Sequence, residues 1–473
     1  MKIIVANDLK VIDPPFDIHN YITQHFHGPH PEYIKAKMDG VPYSGPKIRK
    51  MYQVGSNGFI LPRGAFKKLR RILPTDFPYT DRRISNPIAV IPIRVPPRDY
   101  QIPVYKSMAS AQQGYILAPC GAGKTNIFIY LIAAIRQKTL VIVHRKTLMN
   151  QFVKRFKLVT GKTAGRFYSD EKTICDVTVG INKSVKTHLI GTPEWDQFGC
   201  IIVDECDITP TNTMIPILHA SKAKYRFGGT ATYKRFDQQH YVLDFLIGHR
   251  IADIAQKEIK QSVLTPKVVF VKTPYCPSRH PGWHMNNTTG AWEKSHGKVL
   301  MRKVAIGQYV YKQLTQNPAR QLQIANMTRE LYKQGHVVLL IFKQKVDCKY
   351  MRAMLTSMGL HAELMTSDTK ESQRQDIIDS VNKRETRILI GIDVVSRGLD
   401  IPCIDRIIVT VRRDLTQVIG RGQRPAPGKK DIVVYQLVDN HPAIIDSFKG
   451  KRYKLQKAYK IVIGEAFIEN LVG

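Results

Sequence analysis

Residues 118–125, Ala-Pro-Cys-Gly-Ala-Gly-Lys-Thr, constrain this chain more than any other stretch. A short apolar run, 114–117, precedes them and a longer one, 126–135, follows. The first has the length of a buried strand, the second that of a buried helix. Strand, glycine-rich turn and helix in this order predict a phosphate-binding loop at the edge of a parallel sheet. Gly121 and Gly123, with Ala122 between them, let backbone N–H groups curl round an anion. The start of the helix adds partial positive charge. In such a loop Lys124 reaches the β- and γ-phosphates and the Thr125 hydroxyl holds Mg²⁺.

The residues that a triphosphate site needs recur along the next hundred positions. The apolar run 200–203 ends in Asp204-Glu-Cys-Asp207, which sets two acids at the carboxyl edge of a strand. Asp204 suits Mg²⁺, and Glu205 suits a water that must be oriented or deprotonated. Gln101, 23 residues before Lys124, has an amide that both donates and accepts and so can read adenine. The strand 139–143 ends at His144 and Arg145, a place that suits contacts to backbone phosphates. A further strand, 225–228, gives way to Gly-Thr-Ala-Thr, where Thr230 and Thr232 can relay between the acids and whatever binds outside. Strands alternating with helical sequence predict a doubly wound parallel sheet ending near residue 251.

A second α/β pattern has strands at 337–342, 387–391, 405–410 and 431–438 and no phosphate loop. It offers Arg421 and Arg424, three apart, which share a helix face and can reach one triphosphate. Between the halves, residues 272–320 read as an irregular insertion of loop and helix. Cys276, His280 and His284 there lack a fourth metal ligand. The chain beyond 444 alternates basic and apolar residues and reads as helical.

Ahead of the loop, residues 1–90 read as a small accessory domain and 85–97, with four prolines, as an extended linker. Helical spacing over 65–73 puts Phe66, Leu69 and Leu73 on one face and Lys67, Lys68, Arg70 and Arg71 on the other. The chain holds 72 Lys and Arg against 38 Asp and Glu, a net charge of +34. Solubility does not require that excess, and it implies a polyanionic partner, most simply nucleic acid. No apolar segment is long enough to span a bilayer, and Asn7, Asp8 and Lys10 interrupt any signal-peptide pattern at the start. Seven scattered cysteines without a Cys-x-x-Cys pair suit reduced core thiols in a cytoplasmic protein.

Taken in order, Gln101, residues 118–125, 144–151, 204–207, 229–232, 388–402 and 417–424 resemble the motifs of the superfamily 2 helicases, a match that covers roughly 95–440. The resemblance implies two RecA-like domains in tandem, with ATP and Mg²⁺ between them and a nucleic-acid strand across both. It assigns Walker A to Gly121, Gly123, Lys124 and Thr125, and Walker B to Asp204 and Glu205. Thr230 and Thr232 couple hydrolysis to movement, beside Asp207. Gly398 and Asp400 approach ribose and phosphates. Gln417, Arg421 and Arg424 match Gln-x-x-Gly-Arg-x-x-Arg, with the arginines as fingers. Asp207 stands where many relatives have His, His144 where proline is common and Ile392 where Thr is usual. The expected organisation is an accessory domain 1–90, RecA-like domains 91–252 and 253–445, and a helical tail 446–473.

The small basic amino-terminal domain, with Gly-Phe-Ile-Leu-Pro-Arg-Gly at 58–64, resembles the phage branch-migration helicases of the UvsW type. That implies a monomeric ATPase acting on branched, duplex or single-stranded DNA by fork reversal, branch migration or displaced-strand and R-loop unwinding, in the host cytoplasm if phage-encoded. An RNA-remodelling helicase and a restriction-type translocase subunit are the alternatives.

Overall fold

The fold was obtained as a computed structural model. It describes residues 1–39, 41–119, 121–231, 233, 237–255, 258, 264, 266–273, 283–285, 292–294, 311–315, 317–392, 401–410, 422–423, 425–439 and 463–466. Contacts divide the chain into two compact units, Met1–Ala255 and Gln256–Gly473.

The first unit is built on an eight-stranded sheet. Its order is Glu171–Lys172, Gly165–Tyr168, Val177–Ile181, Thr139–Val143, Cys200–Asp204, Tyr225–Thr230, Gln113–Leu117 and Arg250–Asp253. Every pairing is parallel except that of the outermost hairpin. The central strands are continuous apolar runs because both faces are covered. Leu140, Ile142, Ile201 and Val203 enter one core, while Val141, Val143 and Ile202 are equally buried. The chain leaves Gln113–Leu117 through the helix Lys124–Ile135 and returns in Thr139–Val143, with two strands left between them. The two acid- and threonine-bearing strands fill that gap, so their carboxyl ends lie at the switch point where α/β sheets bind ligands.

A second sheet, in the order Gln53–Gly55, Gly58–Pro62, Asp8–Ile12, Lys2–Val5 and Thr80–Asp81, packs on the helix Phe16–His25. The segment 58–64 is its seam with the first sheet. Arg63, fully buried, donates to the carbonyls of Ala6 (3.3 Å) and Ala223 (2.6 Å) and to Gln113 Oε1 (3.1 Å). Gly64 fits because a Cβ there would lie 2.5 Å from the carbonyl oxygens of Asp244 and Phe245. Phe245, from the helix Tyr241–Leu246, enters the core of the amino-terminal sheet. The two layers therefore pack as one unit despite the change of sheet near residue 90.

The proline-rich stretch read as a linker is extended but fastened down. Ile84 bridges to Ala223 and Pro87 to Gln137, and Arg94 donates its backbone N–H to Val159 at 2.7 Å. Proline is tolerated there because its carbonyl can still accept, as the Pro96 carbonyl does from the Tyr130 hydroxyl at 3.1 Å.

The second unit carries a seven-stranded, wholly parallel sheet. Its order is Glu363–Met365, Ile388–Gly391, Val338–Ile341, Arg406–Val409, Ile432–Asp439, Pro266–Thr273 and Ile463–Ala466. Alternate residues feed two cores, Val268 and Phe270 on one face and Val269 and Val271 on the other. The tail expected to be helical contains an edge strand, Ile463–Ala466, parallel to Pro266–Thr273. In the insertion, Trp283–Met285 and Trp292–Lys294 form an antiparallel hairpin.

Candidate active site

The phosphate loop leaves the strand Gln113–Leu117 and ends at Gly123, whose φ of +70° suits glycine. Gly121 is also left-handed, with φ +88°. Gln101, 1% exposed, braces the loop from the helix Gln101–Ala111. Its amide donates to the Ala122 carbonyl (3.1 Å) and accepts from the Arg98 backbone N–H (3.1 Å). A Cβ at Gly123 would sit 2.6 Å from its nitrogen.

Three strands deliver the rest of the site. Asp204 lies level with Gly229, and Thr230 with Leu117 at the root of the loop. The Ala118 N–H donates to the Thr230 carbonyl at 2.9 Å. Lys124 Nζ reaches Glu205 Oε1 at 2.9 Å. The Glu205 N–H donates to Asp204 Oδ1 at 3.0 Å, and Glu205 takes a left-handed φ of +54° that turns it out of the strand. Thr230 Oγ1 donates to Asp207 Oδ1 at 3.1 Å. The paired glycines before Thr230 give clearance: a Cβ on Gly229 would meet Phe128 Cζ at 2.6 Å and the Lys124 stem at 3.4 Å.

Burial pushes the Asp204 carboxyl up to about 6, against the pull of Lys124, and the Glu205 charge adds to the rise. Asp207 is raised for the same reasons, burial first and Glu205 second. A buried carboxylate, with the Thr125 hydroxyl in the first turn of the helix Lys124–Ile135, offers oxygen donors of the kind that fit a hard divalent cation. Among the described residues no group of three or more His, Cys, Asp and Glu side chains is placed to hold a metal ion, so a cation here would lean on phosphate oxygens as well.

Arg145 stands between the strand Thr139–Val143 and the helix Lys146–Thr160, as its place in the sequence predicts. Lys67, Lys68 and Arg70 lie on the short helix Phe66–Arg70, with Arg71 just beyond. Arg70 parts company with the other three, because its guanidinium donates to the carbonyls of Phe77 (2.9 Å) and Thr75. Thr232, Gly398, Asp400, Gln417, Arg421 and Arg424 lie outside the described residues. Gly422, between the two arginines, accepts a hydrogen bond from Lys429, which also donates to Pro402 at 2.8 Å. Lys429 was not picked out in the sequence, where nothing separates it from surface lysines.

A glycine loop, a lysine and an acid pair on the switch point of a parallel sheet define a nucleoside-triphosphate-driven enzyme. The family model described as "Type III restriction enzyme, res subunit" matches residues 94–235, and "Helicase conserved C-terminal domain" matches 322–426. The chain belongs to the superfamily 2 helicases, and these domains imply ATP-dependent nucleic-acid helicase activity. The DNA 3'-5' translocase XPB2 of Sulfurisphaera tokodaii is 23% identical over 71% of this chain and 80% of its own length. The structure of S. cerevisiae Dbp5 bound to RNA and ADP BeF3 matches 80% of this chain and 90% of that one, with a TM-score of 0.56 at 13% identity. That likeness establishes the RecA-like fold. T4 UvsW matches 99% of this chain and 100% of its own at 14% identity, with a TM-score of 0.39. No helix among the described residues is long and apolar enough to cross a membrane.

Proposed function

We propose that this chain is an ATP-driven motor that remodels branched DNA, such as forks, displaced-strand loops and four-way junctions. One observation carries the reading: a layer bearing Lys67, Lys68 and Arg71 shares a core with the module that holds the triphosphate site, in a chain of net charge +34. A cationic surface fixed to a motor can hold a duplex while the motor pulls on a strand. The similarity to a protein named as a DNA translocase supports DNA.

In this reading the loop N–H groups and Lys124 bind the β- and γ-phosphates, and Gln101 sets the loop and meets adenine. Thr125 and Asp204 would hold Mg²⁺, which neutralises phosphate charge when bound. Glu205 orients the attacking water and takes its proton. Asp207 and Thr230 link that acid pair to the edge of the sheet. Gly398 and Asp400 meet ribose and phosphates, and Arg421 and Arg424, aligned by Gln417, supply charge to the transition state. Thr232 couples hydrolysis to movement with Thr230, and Arg145 contacts the nucleic acid.

The experiment is ATPase turnover with single-stranded DNA, duplex, a model fork, a four-way junction and RNA. The fork or junction should stimulate most. Greater stimulation by RNA would replace this reading with RNA remodelling. A second reading, a restriction-type translocase subunit, is favoured by the family match over 94–235. It predicts strong stimulation by unbranched duplex and none beyond it by branches.

A further inference from the structure

A cavity of about 350 Å³ opens where the amino-terminal layer meets the first parallel sheet. Its walls include Lys67, Lys68, Arg71, Asp244, Phe245 and His249. Lys67 Nζ lies 2.6 Å from His249 Nε2. An ammonium can only donate, so this ring is neutral, with its lone pair on Nε2. Lys68 Nζ donates to the His25 carbonyl at 2.6 Å and lies 5.1 and 5.3 Å from the ring centres of Phe26 and Phe245. Arg71 makes no hydrogen bond or ion pair among the described residues, where the cavity's one acid is Asp244. The Asp244 oxygens already accept from the hydroxyls of Tyr115 (2.8 Å) and Tyr233 (3.3 Å).

The pocket thus holds three cations and one carboxylate committed elsewhere. The ionisation of its members agrees. Burial, then Lys67 and Arg71, pull His249 down to about 4, and burial with Arg71 lowers Lys67. An anion in the cavity would relieve every one of these repulsions. A phosphate suits it better than a carboxylate, since its oxygens can accept from several converging donors. The Phe245 and Tyr241 rings leave an apolar wall for a sugar.

We propose that Lys67, Lys68 and Arg71, backed by His249, hold a single backbone phosphate of a nucleic-acid strand in this pocket, anchoring the strand at the seam between the two layers. The proposal rests on the nucleic-acid motor reading. It differs from a basic helix touching several phosphates from solvent, because here three cations share one anion.

The test is binding of a labelled fork to the full chain at several salt concentrations, without nucleotide. Each phosphate neutralised contributes about 0.9 to the slope of log K against log salt on duplex. The variants are Arg71→Gln, Lys67→Gln/Arg71→Gln and Lys67→Gln/Lys68→Gln/Arg71→Gln, with thermal unfolding checked for each. Arg71→Gln should lower the slope by less than about 1, because Lys67 and Lys68 still neutralise the same phosphate, and the triple variant by about 1. A loss of about 3 in the triple variant, or none, overturns the shared pocket. Inorganic phosphate is titrated separately while the His249 ring resonances are followed. Movement with phosphate but not with the fork means that the pocket takes a free anion, which also overturns the proposal. If the fork stimulates ATPase normally while the slopes stay unchanged, only the pocket fails. If the fork neither binds nor stimulates, pocket and motor reading fall together.

Discussion

Lys124 Nζ lies 2.9 Å from the Glu205 carboxylate, so the lysine of the phosphate loop is paired with the acid proposed to handle water. The pair keeps a largely buried ammonium compensated before a triphosphate arrives. Phosphate oxygens must then take Lys124 from Glu205, and that exchange leaves the carboxylate available to water.

Separable effects are expected at the two residues. Lys124→Ala removes charged hydrogen bonds each worth about 1.5–3 kcal/mol, so ATP should bind about ten- to a hundredfold more weakly and turnover should collapse. Glu205→Gln removes the competitor for Lys124 but also the base. ATP should bind at least as tightly as in the native chain, while turnover falls by about 10²–10⁴. Equilibrium binding of a fluorescent ATP analogue, alongside stimulated ATPase, checks both. Near-normal turnover in either variant would sink the site assignment.

An arginine supplied to a phosphoryl-transfer transition state is worth about 10³–10⁵ in kcat. Arg424→Ala should therefore cut single-turnover hydrolysis with saturating fork by that order and leave ATP affinity within a few-fold. Lys should rescue poorly, since a point charge does not reproduce a planar fork. Lys429 offers a second handle, because it fastens Gly422 between the two arginines and ties it to Pro402. Lys429→Met should lower kcat while leaving the affinity for ATP alone. A native rate in Arg424→Ala would remove the second unit from the chemistry.

The site was legible because it is made of short strands ending in short-range chemistry. The run 200–203 before Asp204, and the glycines before Lys124, have few other uses. Gly229 gives clearance for Phe128 and Lys124, a long-range contact that local sequence does not encode. The seam was legible only as a resemblance. Nothing local says that Arg63 will be buried among carbonyls 160 residues away. Likewise the strand Pro266–Thr273 escaped notice until its partners Ile432–Asp439 and Ile463–Ala466 gave it a place inside a sheet.

Asp204 predicts a pH signature. Its folded value of about 6 lies above the ordinary 3.8, so the folded chain holds this proton where the unfolded chain has lost it. That stability is fully present below about pH 4 and disappears as pH rises through about 6. A metal ligand must be deprotonated, so Mg·ATP binding at pH 5.5 should release protons, and at pH 7.5 release from this group should vanish. Calorimetry in buffers of different ionisation enthalpy measures the count. Asp204→Asn should abolish the acidic release. Persistence of that release in Asp204→Asn would place the proton elsewhere.

The last prediction concerns the buried clasp of the second unit. Arg320, 1% exposed, donates from Nε to Asp439 Oδ1 at 2.7 Å and from Nη2 to Oδ2 at 3.2 Å. Thr273 Oγ1 donates to the same carboxylate at 2.7 Å, and Arg320 Nη2 also donates to the Thr410 carbonyl at 2.5 Å. The clasp thus joins the helix Pro318–Lys333 to the carboxyl ends of three strands. Removing one member strands a charge in the core, at a cost of about 3–5 kcal/mol. Arg320→Met and Asp439→Leu should each lose an amount of that order in the unfolding transition of this unit. The double variant Arg320→Met/Asp439→Leu should lose less than the sum, because no buried charge is left alone. Chemical denaturation followed by hydrogen exchange in the strand Val338–Ile341 reads the unit directly. Additive losses in the double variant would mean that the two residues stabilise the fold separately, and the clasp would be a coincidence of packing.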